Sequence, residues 1–269
     1  MHRTGGNMNL WAIPLRLLLT TFLPLVTMLL SGCGRSPVHI IHVANWHWIP
    51  KESFAIDLRQ SEPDLTDAQI DEKYMTFLDD LEFLQKVQSI RIRNEATKHN
   101  FQLGKRAAFY EGVTPDNLKA FAEANSRVKR VHQLESELNS YDGDETAKAE
   151  EIRQKLRKLI LELREERLQL GAVGQLIREG SFDSVLPLES TATLDAANPV
   201  TSEGKIQFDT AAVKAREVEM ARRIAVGDPV AIVLLGGDHD LTEALKTTGR
   251  PFTYERIETP AYKELANKP

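Results

Sequence analysis

Residues 230–240 read Val-Ala-Ile-Val-Leu-Leu-Gly-Gly-Asp-His-Asp. An unbroken apolar run with no polar alternation, closed by glycines, is the pattern of a strand covered on both faces, as in a parallel sheet. The glycine pair lets the backbone turn sharply and approach a ligand closely. Ligands of open α/β sheets lie outside the carboxyl ends of the strands, and His239 is expected at such an end. Asp240 and Glu243 stand at capping-box spacing ahead of a short helix over 242–246, which would set the histidine beside a partly positive helix N-terminus. A strand-to-helix turn whose histidine only hydrogen-bonds would carry the same local sequence.

Other segments repeat the theme. Val38 to Val43 is a short β-type run that leads into Ala44-Asn45-Trp46-His47-Trp48-Ile49-Pro50, so a second strand delivers a histidine. The following stretch, with Pro63, reads as a loop. Thr66 and Gln69 have capping-box spacing before Ile70, Tyr74, Phe77, Leu81 and Leu84, a helical stripe expected to reach about Lys98. Gly104 ends it. Arg106 to Val113 reads as a strand containing Tyr110-Glu111-Gly112, and Thr114-Pro115 suits an N-cap and first helical position.

From about 115 to 178 the chain reads as a long antiparallel helical hairpin inserted in the domain. Leu118, Phe121, Val128, Val131 and Leu138 mark the outgoing helix. Asn139 to Asp144 make a turn, and Ile152, Leu156, Leu159, Leu163, Leu170, Val173 and Ile177 return on heptad-like spacing broken at Glu166. Its charged faces suit solvent, with a protein partner as the alternative use. Residues 181–204 read as a surface loop. Asp209 is placed to cap a helix carrying Val213, Arg216, Met220, Ala221 and Ile224, which Gly227-Asp228-Pro229 ends. Strands alternating with helices give the fold class: α/β, with a mainly parallel central sheet flanked by helices.

Arg16 precedes an uncharged apolar stretch from Leu17 to Leu30, followed by Leu30-Ser31-Gly32-Cys33. This is a secretory signal pattern, too short for a comfortable membrane span. The tetrapeptide resembles the bacterial lipobox, which implies a signal peptide over 1–32, a mature domain over 33–269, lipid on Cys33, and a cell-envelope protein anchored to a membrane rather than spanning it. As Cys33 is the single cysteine, no intramolecular disulfide can form. The formal net charge of −5 argues against nucleic acid as a partner, which needs a basic surface to neutralise phosphates.

In order and local sequence these elements resemble the superfamily of TraB, GumN and Tiki proteins, ChaN-like haem-binding lipoproteins and, more distantly, erythromycin esterases. The likeness rests on Ala44-Asn45-Trp46-His47, with alanine where glycine is usual, and on Phe109-Tyr110-Glu111-Gly112. It continues with Arg216, Met220, Ala221 and Ile224, then Gly236-Gly237-Asp238-His239, and last Leu245, Gly249 and Phe252 to Ile257.

Two imidazoles and a carboxylate at strand ends have the chemistry of a divalent-metal site with open positions. In this reading His47 and His239 bind metal, and Glu111 is a third ligand or the general base. Arg216 stabilises developing negative charge. The resemblance to Tiki-like proteins implies metal-dependent hydrolysis of a peptide or other acyl bond in a peptide or small-molecule substrate. The resemblance to ChaN-like lipoproteins implies haem instead, with His47 or Tyr110 as axial ligand and His39, His42, Trp46 and Trp48 nearby. A non-catalytic scaffold is the third reading.

Overall fold

The computed structural model describes residues 36–101, 106–140, 147–199 and 207–267. Cys33, the signal-like segment and Gly104 lie outside them. The elements run β1 (Val38–Asn45), α1 (Lys51–Ser61), α2 (Asp67–Lys98), β2 (Ala107–Tyr110), α3 (Leu118–Asn139), α4 (Ala147–Glu162) and α5 (Arg164–Arg178). They continue with β3 (Ser184–Pro187), α6 (Thr191–Ala196), α7 (Thr210–Val226), β4 (Val230–Gly236), α8 (Thr242–Lys246), β5 (Phe252–Ile257) and α9 (Pro260–Ala266). The five strands form one sheet in the order β3-β2-β4-β1-β5, and every pairing is parallel.

Side chains of a strand alternate between faces, and the two central strands are apolar on both. Ile41 and Val43 of β1 and Ile232 and Leu234 of β4 enter one core with Ile92 of α2 and Val173 and Leu176 of α5. Ile40 of β1 and Val233 and Leu235 of β4 enter the opposite core with Met220, Ala221 and Ile224 of α7 and Leu245 of α8. This two-sided cover is why β4 shows no polar alternation. The parallel strands place all their carboxyl ends along one edge of the sheet.

Several local expectations are met. Thr66 and Gln69 form the capping box of α2, which ends at Lys98, and Asp209 caps α7 through the backbone N–H groups of Ala211 and Ala212. Others are corrected. The stretch read as a loop around Pro63 contains α1, which is held by tertiary packing rather than by a cap: Phe54 lies 5.4 Å from the rings of both Tyr74 and Phe77. The stretch read as a loop after 181 contains β3 and α6. Four residues are too few to show a period, and Pro187 is tolerated because β3 is an edge strand.

Thr114 does not cap α3, whose N-cap is Asn117; it accepts from the Asn117 N–H in a preceding turn. Asp240 and Glu243 do not form a capping box either. Leu241 is the N-cap of α8, and Asp240 accepts from Thr242 two residues on.

The helices after 115 divide in a particular way. Val131 and Leu134 of α3 and Ile152 and Leu156 of α4 pack on each other in a cluster separate from the sheet cores. The return arm then breaks at Leu163, and α5 lies on the sheet. Within α5, Gly171 has φ 62° and ψ −165°, a region that only glycine occupies without strain. A Cβ there would also stand 2.4 Å from the Tyr110 hydroxyl. Two carbonyls beside this kink find side-chain donors: Gln85 donates to Leu168 O at 2.6 Å and Tyr110 to Gln169 O at 3.3 Å.

Candidate functional site

Four ionisable side chains follow the carboxyl ends of four neighbouring strands. Across the sheet they are Glu189 after β3, Glu111 after β2, His239 after β4 and His47 after β1. Strands lie about 4.8 Å apart, so side chains leaving adjacent ends can meet. The widely spaced residues expected to form one site, His47, Glu111, Arg216 and His239, are brought together here.

Glu111 is the hub. Its Oε2 accepts from His47 Nε2 at 2.7 Å and from the Gly236 N–H at 2.6 Å. Its Oε1 accepts from Arg216 Nη2 at 2.8 Å and lies 3.4 Å from His239 Nε2. Gly236 leaves room for these contacts: a Cβ there would stand 3.2 Å from Glu111 Oε2 and 3.3 Å from His47 Nε2, so both would have to shift by a few tenths of an ångström.

Arg216 reaches in from α7 and bridges two carboxylates. Besides Glu111 it binds Glu189 through Nε and, at 2.9 Å, through Nη2. Glu189 is fully buried and also accepts from the Gly112 N–H at 2.7 Å. His239 in turn has Nδ1 on Glu217 Oε1 at 3.0 Å. Glu189 and Glu217 were not singled out from the sequence. The signal for Glu189 was present in Val185-Leu186-Pro187-Leu188-Glu189, an apolar run ended by an acid like that before Glu111; Glu217 simply adjoins Arg216.

These contacts shift the protonation equilibria. Burial works against the Glu111 charge, but His47, the hydrogen bonds from both histidines and Arg216 outweigh it and hold the carboxyl well below its usual range. Burial likewise opposes the His47 cation, yet the charge and hydrogen bond of Glu111 raise its pKa above the ordinary 6.5. His239 is raised in the same sense: burial is overcome by Glu111 and Glu217. Glu111, with both oxygens doubly engaged, is therefore a poor proton acceptor and orients His47 instead. Arg216 holds Glu111 and Glu189 in place.

Beside the hub opens a cleft of about 460 Å³ whose lining includes His47, Trp48, Tyr110, Glu111, Phe121 and Leu170. The His47 side chain keeps 39 % of its surface exposed, against 15 % for His239 and 11 % for Arg216. His47 is thus the hub residue best placed to meet a ligand.

Among the other candidates for haem ligation, two lie away from the cleft and Tyr110 has its hydroxyl engaged. His42 is fully buried in β1; Nε2–H donates to Leu235 O at 3.0 Å and Nδ1 accepts from Tyr254 at 2.7 Å. Burial lowers its pKa to about 4, so both nitrogens are committed in a neutral ring. His39 is near the amino end of β1, bonded to Thr253. Tyr110 borders the cleft with its hydroxyl turned to Gln169 O.

The donor set suits a divalent ion chemically, as two imidazoles and a carboxylate converge on one point. His239 also has the carboxylate partner on its second nitrogen that orients metal-binding histidines. Among the described residues no three such side chains already stand at coordinating positions, because the imidazoles close directly onto Glu111. Among them, too, no helix is long and apolar enough to cross a membrane.

Comparison with known proteins finds no matching family model, no matching curated protein and no matching solved structure.

Proposed function

We propose that this chain is a lipid-anchored hydrolase of the cell envelope that cleaves a peptide or other acyl bond at the His47–Glu111–His239 site. The observation that carries the reading is the Glu111 hub, which points a partly exposed histidine of raised pKa into a cleft at the carboxyl edge of a parallel sheet. His47, His239 and Glu111 are the residues that would hold a divalent ion. When bound, such an ion supplies Lewis acidity that lowers the pKa of water. Glu111 orients His47, Arg216 fixes Glu111 and Glu189, and Glu217 fixes the His239 ring. With Nε2 of His47 held by Glu111, Nδ1 is the nitrogen at which His47 exchanges a proton while no ion is bound. Trp48, Phe121 and Leu170 offer an apolar wall for the substrate's non-reacting part.

The test combines metal analysis, an absorption spectrum and turnover of a panel of peptides and activated esters. Stoichiometric metal, lost in His239→Ala, together with hydrolysis abolished in His47→Ala, is the expected result. A Soret band with no metal-dependent hydrolysis would replace this reading by haem binding.

A further inference from the structure

We propose that the cavity enclosed by α2, α3 and α5 is a binding site for an oxyanion of the phosphate or carboxylate class, with Arg178 as its main contact. The cavity, about 290 Å³, is lined by Lys86 of α2, Val131 of α3 and Arg164, Arg167 and Arg178 of α5. It is separate from the cleft at His47.

The cations here are not equivalent. Arg164 is paired with Asp79 and lies 3.7 Å from Glu82. Arg167 is 3.1 Å from Glu82. Arg178 makes a single hydrogen bond, from Nη1 to Asn125 Oδ1 at 2.7 Å, and no ion pair among the described residues. Glu82, Glu135 and Glu179 also border the cavity; Glu82 is engaged by Arg164 and Arg167, and Glu179 by Arg93 and Gln175. Burial and the neighbouring Arg167 lower the Arg178 pKa to about 10, and Glu179 and Glu135 offset only part of this.

A guanidinium carries five N–H donors in a planar fork, and leaving a half-buried one without an anion is costly. An oxyanion matches what is missing: negative charge and two acceptor oxygens for the fork. Lys86, exposed on the rim and in no ion pair among the described residues, adds a second positive charge at the entrance.

Calorimetric titration and thermal melting of the whole chain test this, with inorganic phosphate and succinate as probes at an ionic strength held constant with chloride. Saturable binding of either probe, with a melting temperature that climbs with its concentration, is expected. Which probe binds identifies the class. Arg178→Gln should weaken it by about tenfold or more, as expected for a lost charge-assisted pair, while Arg178→Lys falls between. Should Arg178→Gln fail to fold, Lys86→Gln provides the comparison and should weaken binding severalfold. No saturable binding of either probe overturns the proposal, as does binding unchanged in Arg178→Gln or, failing that variant, in Lys86→Gln.

Discussion

Replacing Glu111 by glutamine keeps the size of the hub and removes its charge. The side chain is 7 % exposed and Arg216 is 11 % exposed, so the pair counts as buried, and breaking one typically costs 3–5 kcal/mol. Arg216 keeps Glu189, which places the cost at the lower end, about 3 kcal/mol. For a domain of this size that is a fall of roughly 6–12 °C in Tm. The pH dependence identifies the cause. His47 and His239 have raised pKa values in the fold, so their contribution is complete below the ordinary 6.5 and is lost as pH rises through the folded values. The lowered Glu111 contributes fully above the ordinary 4.5 and loses its share as pH falls through its folded value. The stability gap between wild type and Glu111→Gln should therefore be widest between pH 4.5 and 6.5 and narrow on the alkaline side. Urea unfolding across pH, with NMR titration of the imidazoles, measures both. A Tm within a degree of wild type at pH 6, with His47 titrating as before, would refute the hub.

Gly171→Ala should lose about 1–3 kcal/mol to backbone strain and displace the Tyr110 hydroxyl, which a melting curve of the variant alone and combined with Tyr110→Phe would read; an unchanged Tm rejects the kink as a requirement. Leu156→Ala should cost about 2–5 kcal/mol, but hydrogen exchange should place the loss in α3 and α4, since its cluster is separate from the sheet; loosening of β1 and β4 would contradict that separation. Cys33→Ser should leave the precursor unprocessed in a lipoprotein-processing host, seen as a heavier band without metabolic lipid label, and normal maturation would remove the anchor. Binding of zinc at pH 6 should release protons from the imidazoles, so calorimetric heats should vary with the buffer's ionisation enthalpy; binding without proton release would place the ion away from His47 and His239.

The legibility of this chain in sequence followed the length of its patterns. The α/β class came from β4 because a strand covered on both faces is apolar throughout, and α2 and α7 came with their caps because Thr66, Gln69 and Asp209 act within one helical turn. His47, Glu111, Arg216 and His239 were legible as strand-end and helix residues. Their convergence on one site was legible too, from the strand ends; which atoms pair was not, because 64 residues separate His47 from Glu111 and 105 separate Glu111 from Arg216. Elements decided by tertiary packing went unread: α1 depends on Phe54 against Tyr74 and Phe77, and β3 has pairing on one side only. With β3 unread, Glu189 had no strand end to stand on.

Glu189 matters to the chemistry, because it changes the charge balance of the site. Glu111 alone would be matched by Arg216, and protons on His47 and His239 would then leave the cluster positive. Glu189 and Glu217 bring the carboxylates to three, against Arg216 and two imidazoles. The charges cancel only when both rings are protonated, which is the state their raised pKa values favour. Losing one proton leaves a largely buried cluster with net negative charge, and that is the cost of using His47 as a base. A divalent cation in place of both protons would leave the balance as it is, so the acids that make the histidines hold their protons are the same ones that would make the site hold a metal.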